Sequence, residues 1–381
     1  MNPHEIAQYI VNLKGDLLRI GPSDNAGRES LYIINEGILE RWEASLLDNE
    51  IQQIAGKTSD YIYNNVFRNI KSKLLAQQQS DGIQRKIKDL LSYYTRTACL
   101  FEGGDILNIK RDDSGGQKLE LTTLDKYLAE GGAPFHERFT FALDTKLFSS
   151  AVVFGSNEDE LKRAVERFCP EWHRFLKTSL ASYEYDCIPV LEFVGNFLLP
   201  INSTGRRGFW FLVGQSKSGK TTLLNLCSEL VGRKNVGEFH PGRRYIYKKK
   251  RRAVGTSKYN KIEKYIENYI YLSEGTMVTQ TTFRYFTDIP FCCAVESRRP
   301  PTIKSRLGWG LIKNLNTRLI VLIFERDAST PIDCDLPDKL KKEAPTFCAL
   351  AMARLAYLIE SKQPFTPTYE KRFPKIKRNF Y

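Results

Sequence analysis

The feature that most constrains this chain is the run FWFLVGQSKSGKTTLLNLCSEL at residues 209–230. Five apolar residues lead into a turn that carries a G-x-x-x-x-G-K-[ST] pattern from Gly214 to Thr221. Apolar residues follow the turn at helical spacing, at Leu223, Leu224, Leu226, Cys227 and Leu230. The sequence therefore predicts a buried strand, a tight loop and a helix in direct succession, which is the context that this pattern requires.

This loop predicts a site for the phosphates of a nucleotide. Gly214 and Gly219 let backbone amides turn inward around a phosphate, and a helix amino terminus adds positive potential. We expect Lys220 to reach the β- and γ-phosphates of ATP and the Thr221 hydroxyl to bind Mg²⁺. The alternative is a chance match in a glycine-rich turn, which the flanking strand and helix argue against. The predicted nucleotide-binding residues are Gly214, Gln215, Ser216, Lys217, Ser218, Gly219, Lys220, Thr221 and Thr222.

The charge of the chain points to a polyanionic partner. Its 381 residues carry a formal net charge of +13, and the pI is near 9.2. For a nucleotide-binding protein this excess favours nucleic acid over a membrane, the alternative being a lysine-rich surface that only provides solubility. No apolar run approaches membrane-spanning length, and the first residues lack a signal-peptide core, so we expect a soluble protein with no membrane partner.

Upstream of the loop, the hydrophobic pattern changes from helical to β-rich and back. Residues 3–20 and 48–80 carry apolar residues at helical spacing. Residues 31–42 predict a strand, a turn, and a second strand or helix start. The character changes over residues 98–150, where the stretch 98–124 predicts short strands with Gly-Gly turns, and residues 158–197 are helical again. This upstream part predicts no catalytic constellation.

Downstream of the loop, three polar residues lie at the ends of apolar runs. Glu274 ends the run 264–275 and could hold the Mg²⁺ shell and orient the attacking water, unless it is only a strand-end carboxylate. Ser297, or less favourably Glu296, could sense the γ-phosphate at the tip of the next strand. Arg318 starts the last strong strand and is either a surface residue or an arginine finger that reaches the triphosphate of a neighbouring subunit. We take Lys220, Glu274, Ser297 and Arg318 as the candidate catalytic residues, and Thr221 and Glu274 as the metal ligands.

A basic block follows the phosphate loop. Residues 243–252 contain seven cations interleaved with two tyrosines. The block is either a solvated loop or localisation signal, or a contact for the DNA backbone through Lys248, Lys249 and Lys250. Near the end of the chain, residues 336–361 predict a helical segment, and a basic, aromatic, proline-broken tail follows it.

These features together resemble the superfamily 3 helicases, specifically the helicase portion of poxvirus-type and phage- or plasmid-encoded primase-helicases. The resemblance rests on residues 191–232, which contain the phosphate loop, and on the ordered series of Glu274, AVESRRPP and TRLIVLIFE. Upstream, ACLFEGGDILNIK and the run to FALD are similar to the β insertion and helical collar of that group. The resemblance covers about residues 85–330.

The resemblance implies an α/β fold. Its core would be an AAA+-type P-loop NTPase, a central, mostly parallel sheet flanked by helices, preceded by a helical collar with a small β element. The implied domains are a mainly helical domain at 1–84, the β insertion and collar at 85–185, the ATPase domain at 186–330, and a helical segment with a basic tail at 331–381.

The resemblance also implies an activity. The chain would be an ATP-dependent replicative DNA helicase of a virus or mobile element, a hexameric ring that translocates on single-stranded DNA. By position, Arg284, Tyr285, Lys304 and Arg306 would grip the strand, since a cation and an aromatic ring suit contact without sequence preference. The alternatives are a DNA-binding AAA+ switch or loader that does not unwind, and a signalling or packaging ATPase.

Further partners and a compartment follow from the same resemblance. The DNA would be a single strand or an origin duplex, and a separate primase or polymerase would be a further protein partner. The expected location is the cytoplasm of the host cell, either bacterial or a viral factory, with the nucleus as the alternative for a eukaryotic virus.

Overall fold

The protein has a mixed α/β architecture, as its sequence predicts. A computed structural model describes residues 1–22, 29–56, 58–81, 97–111, 113, 115–135, 138–199, 209–215, 217–232, 236–238, 252–255, 293–297, 319–326 and 333–366. The chain divides into two compact units, residues 1–95 with 124–137 and residues 96–123 with 138–381. The four domains expected from the sequence stay a prediction.

The first unit packs helices around a small antiparallel sheet. Its elements are α1 (Pro3–Lys14), β1 (Leu18–Pro22), β2 (Glu29–Asn35), β3 (Ile38–Arg41), α2 (Ala44–Ala55), α3 (Asp60–Asp81) and α4 (Leu124–Ala129). The strand order is β1-β2-β3, with both pairs antiparallel. Glu36 and Gly37 join β2 to β3 and both have left-handed backbones, with φ of 45° and 77°. This is the geometry of a tight hairpin turn, so the predicted strand and turn are confirmed, and the second element is a strand.

The predicted first helix, residues 3–20, is too long. Helix α1 ends at Lys14, and Leu18 is a fully buried residue of β1. The side chains of Leu13 and Leu17 are 60% and 45% exposed, although their spacing suggested a buried helix face. The apolar spacing continues by chance across the end of the helix, so periodicity alone placed the boundary too late.

The second unit contains a small antiparallel sheet, a helical layer and a larger parallel sheet. Its first elements are β4 (Ala98–Leu100), β5 (Asp105–Arg111), β6 (Gln117–Thr123), α5 (Thr145–Ala151), a 3₁₀ turn (Val152–Phe154), α6 (Glu158–Phe168), α7 (Pro170–Ser179) and α8 (Tyr183–Leu198). Then follow β7 (Phe209–Gly214), α9 (Lys220–Leu230), β8 (Val236–Glu238), β9 (Arg252–Gly255), β10 (Cys293–Ser297), β11 (Leu319–Phe324), α10 (Leu336–Lys342) and α11 (Ala344–Ser361). The predicted short strands at 98–124 and the helices at 158–197 are confirmed, whereas residues 124–129 and 145–151 are helical.

The larger sheet has the order β11-β7-β10-β9-β8, and every described neighbour pair in it is parallel. Trp210 of β7 pairs with Ala294 of β10 on one side and with Ile320 of β11 on the other. Strand β7 is therefore interior, and its side chains at Trp210 and Leu212 are fully buried. The later strands β8, β9 and β10 all lie on one side of β7, whereas β11 lies on the other.

Helices α8 and α11 form the apolar centre of the second unit. Gly195 permits their close approach, because a Cβ atom there would lie 2.8 Å from the carbonyl oxygen of Ala351. Among the described residues, no helix is long and apolar enough to cross a bilayer.

A buried ion cluster fixes these two helices and the segment after them. Arg354 of α11 donates from Nε to Oε1 of Glu192, 2.9 Å away, and from a terminal nitrogen to Glu158. The amide of Thr366 donates to the other oxygen of Glu192 over 2.7 Å. Burial raises the pKa of the Glu192 carboxyl, and the bonds from Arg354 and Thr366 oppose that rise.

Candidate functional site

The phosphate loop predicted from the sequence lies at an edge of the parallel sheet where ligands bind in many α/β proteins. Strand β7 ends at Gly214, between the carboxyl ends of β11 and β10, and helix α9 begins at Lys220. The predicted strand, loop and helix are thus confirmed. The chain leaves β7 for strands on one side, and β11 lies on the other side, so the loop follows a strand at which the connections diverge. Crevices at the carboxyl ends of strands beside such a point are the usual ligand sites of open parallel sheets.

Two glycines of the loop occupy positions that no larger residue could fill without movement. A Cβ atom on Gly214 would lie 2.0 Å from the carbonyl oxygen of Phe324. Gly219 has a left-handed backbone with φ of 102°, and a Cβ atom there would lie 2.8 Å from Oγ of Ser179. Lys217 also has positive φ, at 65°. Alternation of left- and right-handed residues turns successive amides toward one point, which is how a backbone binds an anion.

Lys220 closes the loop on itself. Its side chain is 1% exposed, and Nζ donates to the carbonyl oxygens of Gly214 and Gln215, at 2.8 and 2.5 Å. A third bond of 3.0 Å goes to Oγ of Ser218, which is itself buried. All three ammonium protons therefore have acceptors, and these three acceptors are neutral. The positive charge lies within the turn, where it would attract an anion.

The amino end of α9 adds a second source of positive potential. This helix of eleven residues starts from Gly219, which provides no side-chain cap for the first-turn amides. Those amides and the helix dipole favour a negative group in front of the helix. Thr221 lies in the first turn and is an exposed residue. The arrangement can bind the phosphates of a ligand and present a hydroxyl to a cation beside them.

Sequence reasoning missed the residues that contact the loop from outside the motif. Ser179 and Phe175 of α7 lie against Gly219, and Phe324 of β11 lies against Gly214. The opposite end of α9 is also held, because Thr140 donates from Oγ1 to the carbonyl oxygen of Glu229 over 2.9 Å. No pattern in the sequence pointed to these contacts, since each joins segments that are far apart along the chain.

Ser297, the predicted sensor, is the last residue of β10 and pairs in register with Val213 of β7. Its backbone therefore lies beside the start of the loop. Strand β9 starts at Arg252, which is the last residue of the basic block. The remaining candidates lie outside the described residues, and their roles stay predictions: Ser216, Lys248, Lys249, Lys250, Glu274, Arg284, Tyr285, Lys304, Arg306 and Arg318.

Comparison with known proteins gives distant likenesses to solved structures. No family model and no curated protein matches the chain. An A-form apo structure of the NrS-1 C-terminal region is 8% identical, with a TM-score of 0.45, and the match covers 99% of this chain and 75% of that one. A second apo structure of that region gives 9% identity and 0.43 over the same shares. The SCCmec type IV Cch active helicase gives 15% and 0.32 over 90% of this chain and 60% of that one. Likenesses at this level support no inference about activity, and the proposals below rest on this chain's own residues.

Proposed function

We propose that the chain is an ATPase that acts on single-stranded DNA, as a ring-forming replicative helicase of a virus or mobile element. The observation that carries this proposal is the loop from Gly214 to Thr221, with Lys220 buried in its centre. The parallel order of the larger sheet, with the loop at the carboxyl end of an interior strand, supports an AAA+-type core.

The loop suits a triphosphate because it combines inward amides, a helix amino terminus and a lysine. When phosphate binds, the Lys220 ammonium exchanges neutral acceptors for phosphate oxygens, and charge-assisted hydrogen bonds are the stronger kind. The close packing at both glycines fits a cradle of backbone amides around the β-phosphate. This chain would thereby orient the terminal phosphate toward an attacking water.

Mg²⁺ fits the oxygen donors that are predicted for the site. Thr221 is an exposed residue in the first turn of α9 and would supply its hydroxyl, and Glu274 is the predicted carboxylate ligand. Hydroxyl and carboxylate oxygens, completed by phosphate oxygens and water, are ligands that Mg²⁺ prefers. The bound ion would neutralise charge on the transferring phosphoryl group.

The position of the positive charge supports a nucleic-acid partner. Residues 233–318 contain 19 Lys and Arg residues and 6 Asp and Glu residues, so this segment alone carries a formal charge of +13. The rest of the chain has equal numbers of the two kinds. The segment contains β8, β9 and β10 and runs between α9 and β11, and it includes every DNA contact predicted from the sequence. A cationic segment that follows the proposed ATP site along the chain fits a protein that couples hydrolysis to movement on a phosphate backbone.

Turnover measurements test this function directly. ATP hydrolysis by the full chain is measured alone and with single-stranded DNA, duplex DNA or RNA, and the opening of a forked DNA is followed in parallel. We expect single-stranded DNA to raise turnover and the fork to be opened. Hydrolysis without fork opening would favour the switch or loader, and turnover that no nucleic acid changes would contradict a nucleic-acid function altogether.

A mixing experiment tests the ring. Arg318→Ala is expected to retain ATP binding and lose hydrolysis, because an arginine finger is worth about 10³ to 10⁵ in rate. Mixed with wild-type subunits, it should reduce activity by more than its share of the mixture. A loss in simple proportion to that share would contradict a role across the subunit boundary.

A further inference from the structure

Both glycines of the phosphate loop pack against two paired segments that lie outside the sequence motif. We call residues 179–181 and 323–325 the brace. Two backbone hydrogen bonds of 2.9 Å join its halves, from Glu325 N to Ser179 O and from Ala181 N to Ile323 O. An antiparallel bridge between Leu180 and Phe324 completes the pairing. Residues 179–181 thus extend the parallel sheet by one antiparallel bridge beyond β11, beside the loop.

Ser179 connects the brace to the loop. It is the last residue of α7 and is 1% exposed. Its carbonyl oxygen is bound to the end of β11, while its side chain lies against Gly219, where an added Cβ would be 2.8 Å from Oγ and 3.1 Å from Cβ of Ser179. On the other side of the loop, the carbonyl of Phe324 occupies the space beside Gly214. The brace therefore restricts side-chain size at both ends of the loop, at Gly214 and at Gly219.

The brace cannot easily move away from the loop, because the amino end of α7 is held by other contacts. The carboxylate of Glu343 accepts the backbone amides of Glu171 and Trp172, at 3.0 and 3.1 Å. The Trp172 indole donates to the carbonyl oxygen of Leu340 and stacks on Phe347 with ring centroids 3.7 Å apart. These contacts fix α7 along its axis, so a change in side-chain size at Ser179 must be absorbed by the loop.

We propose that Ser179 is a positioning residue for nucleotide binding, whose small side chain sets the distance between α7 and Gly219. That distance fixes the left-handed turn at Gly219 and hence the direction of the amides at the start of α9. The role rests on the proposed ATP site and adds to it a residue that acts through Gly219 and not by touching the nucleotide.

Single substitutions at Ser179 test the spacing. Ser179→Ala keeps the volume small, and we expect the KM for ATP to stay within about threefold of wild type. Ser179→Thr and Ser179→Val add atoms against Gly219 and should raise the KM for ATP by about tenfold or more. The value of kcat should change by a smaller factor. The melting temperature without nucleotide should change little. The control is Lys177→Ala, an exposed change in the same helical turn. Wild-type KM values for Ser179→Thr and Ser179→Val would overturn the proposal.

A double-mutant cycle measures whether Ser179 and Gly219 act together on ATP binding, which a merely structural role of Ser179 would not produce. Gly219→Ala places a Cβ against Ser179 and should weaken ATP binding strongly. Adding Ser179→Gly removes the two nearest Ser179 atoms, while Phe175 and the left-handed backbone at position 219 still oppose the alanine, so the double variant should recover part of the ATP affinity that Gly219→Ala alone loses. Independent sites would instead give additive losses, and that result would overturn the proposal.

The outcomes separate this inference from the proposed function. If wild type binds no ATP, as judged by an ATP-dependent rise in melting temperature, the proposed function itself fails. If wild type binds ATP, Lys220→Ala does not, and the Ser179 cycle is additive, only the positioning role fails.

Discussion

The two units of the chain use similar kinds of element but connect their strands differently. In the first unit, β1, β2 and β3 follow one another as antiparallel neighbours, with a two-residue turn between the last two. In the larger sheet of the second unit every described pair is parallel, so each strand must be reached by a crossover. Crossovers bring the carboxyl ends of all strands to one edge, where loops from distant parts of the sequence can meet. The comparison explains why the phosphate loop and its brace occur in the second unit.

Charge divides the units in the same way. The first unit holds 12 Lys and Arg residues against 15 Asp and Glu residues, whereas the second holds 45 against 29. The first unit places the Lys14–Glu50 pair where its side chains are 32% and 23% exposed, whereas the Arg354–Glu192 pair of the second unit is almost completely buried. The excess of positive charge and the buried Arg354–Glu192 pair thus both lie in the second unit.

The largest expected effect is a loss of ATP turnover, which tests whether the phosphate loop of the second unit is the catalytic site. Lys220→Ala removes the ammonium that the loop holds by three hydrogen bonds, and we expect ATP turnover to fall by about 10³-fold or more. Steady-state hydrolysis and ATP-dependent thermal stabilisation are the measurements. Lys118→Ala, an exposed lysine of the same unit, is the control and should keep wild-type turnover. Substantial turnover by Lys220→Ala would mean that the chemistry lies elsewhere in the chain.

The next effect concerns stability. Arg354→Ala leaves the Glu192 carboxylate buried without its cation, which typically costs about 3–5 kcal/mol. In the first unit, Lys14→Ala breaks a partly exposed pair and should cost about 1 kcal/mol or less. Urea unfolding followed by tryptophan fluorescence measures both changes. Equal losses for the two variants would show that the buried cluster stabilises the second unit no more than a surface pair stabilises the first.

A smaller effect tests where the polyanion binds. Changing Lys248, Lys249 and Lys250 together to alanine should weaken binding of single-stranded DNA by about tenfold. The dependence of log affinity on log salt concentration should flatten by about 2, since each phosphate contact contributes about 0.7. The matched control removes three cations of the first unit, Arg68, Lys71 and Lys126, and should leave the salt dependence nearly unchanged. A larger effect of the control triple would move the interface to the first unit.

The sequence predicted correctly those features that one short stretch specifies, and it predicted other features less well. Strand β7, the loop and α9 were predicted correctly because the glycines and the apolar spacing specify them within one short stretch. Strands β8 and β9 were missed, since segments of three and four residues show no alternation and β9 begins inside a basic block. The C-terminal helical segment proved to be two helices, α10 and α11, because Pro345 lacks an amide proton and disfavours a continuous helix before it.

The candidate site was predictable only in part for the same reason. The place of Lys220 at the end of the phosphate loop follows from the motif, but the contacts of Ser179 and Phe324 with the loop depend on tertiary pairing between distant segments. A serine at the end of a helix has no distinctive pattern, so its contact with Gly219 could be seen only in the structure. Predicted residues such as Glu274 and Arg318 lie outside the described part of the chain, and only experiments on variants can test their roles.

The smallest expected effect concerns the stability of helix α1 in the first unit. Asn2 caps α1, because its side chain accepts the amides of His4 and Glu5, and the Glu5 carboxylate accepts the Asn2 amide in return. Asn2→Ala should cost about 1 kcal/mol, so the α1 amides should exchange with solvent deuterium about fivefold faster. Asn2→Asp keeps an acceptor at the cap and should exchange like wild type. Because the first unit supplies no part of the phosphate loop, the KM for ATP should be the same in all three proteins. A raised KM in Asn2→Ala alone would mean that order in the first unit is coupled to the nucleotide site, and the two units would then have to be treated as one functional body.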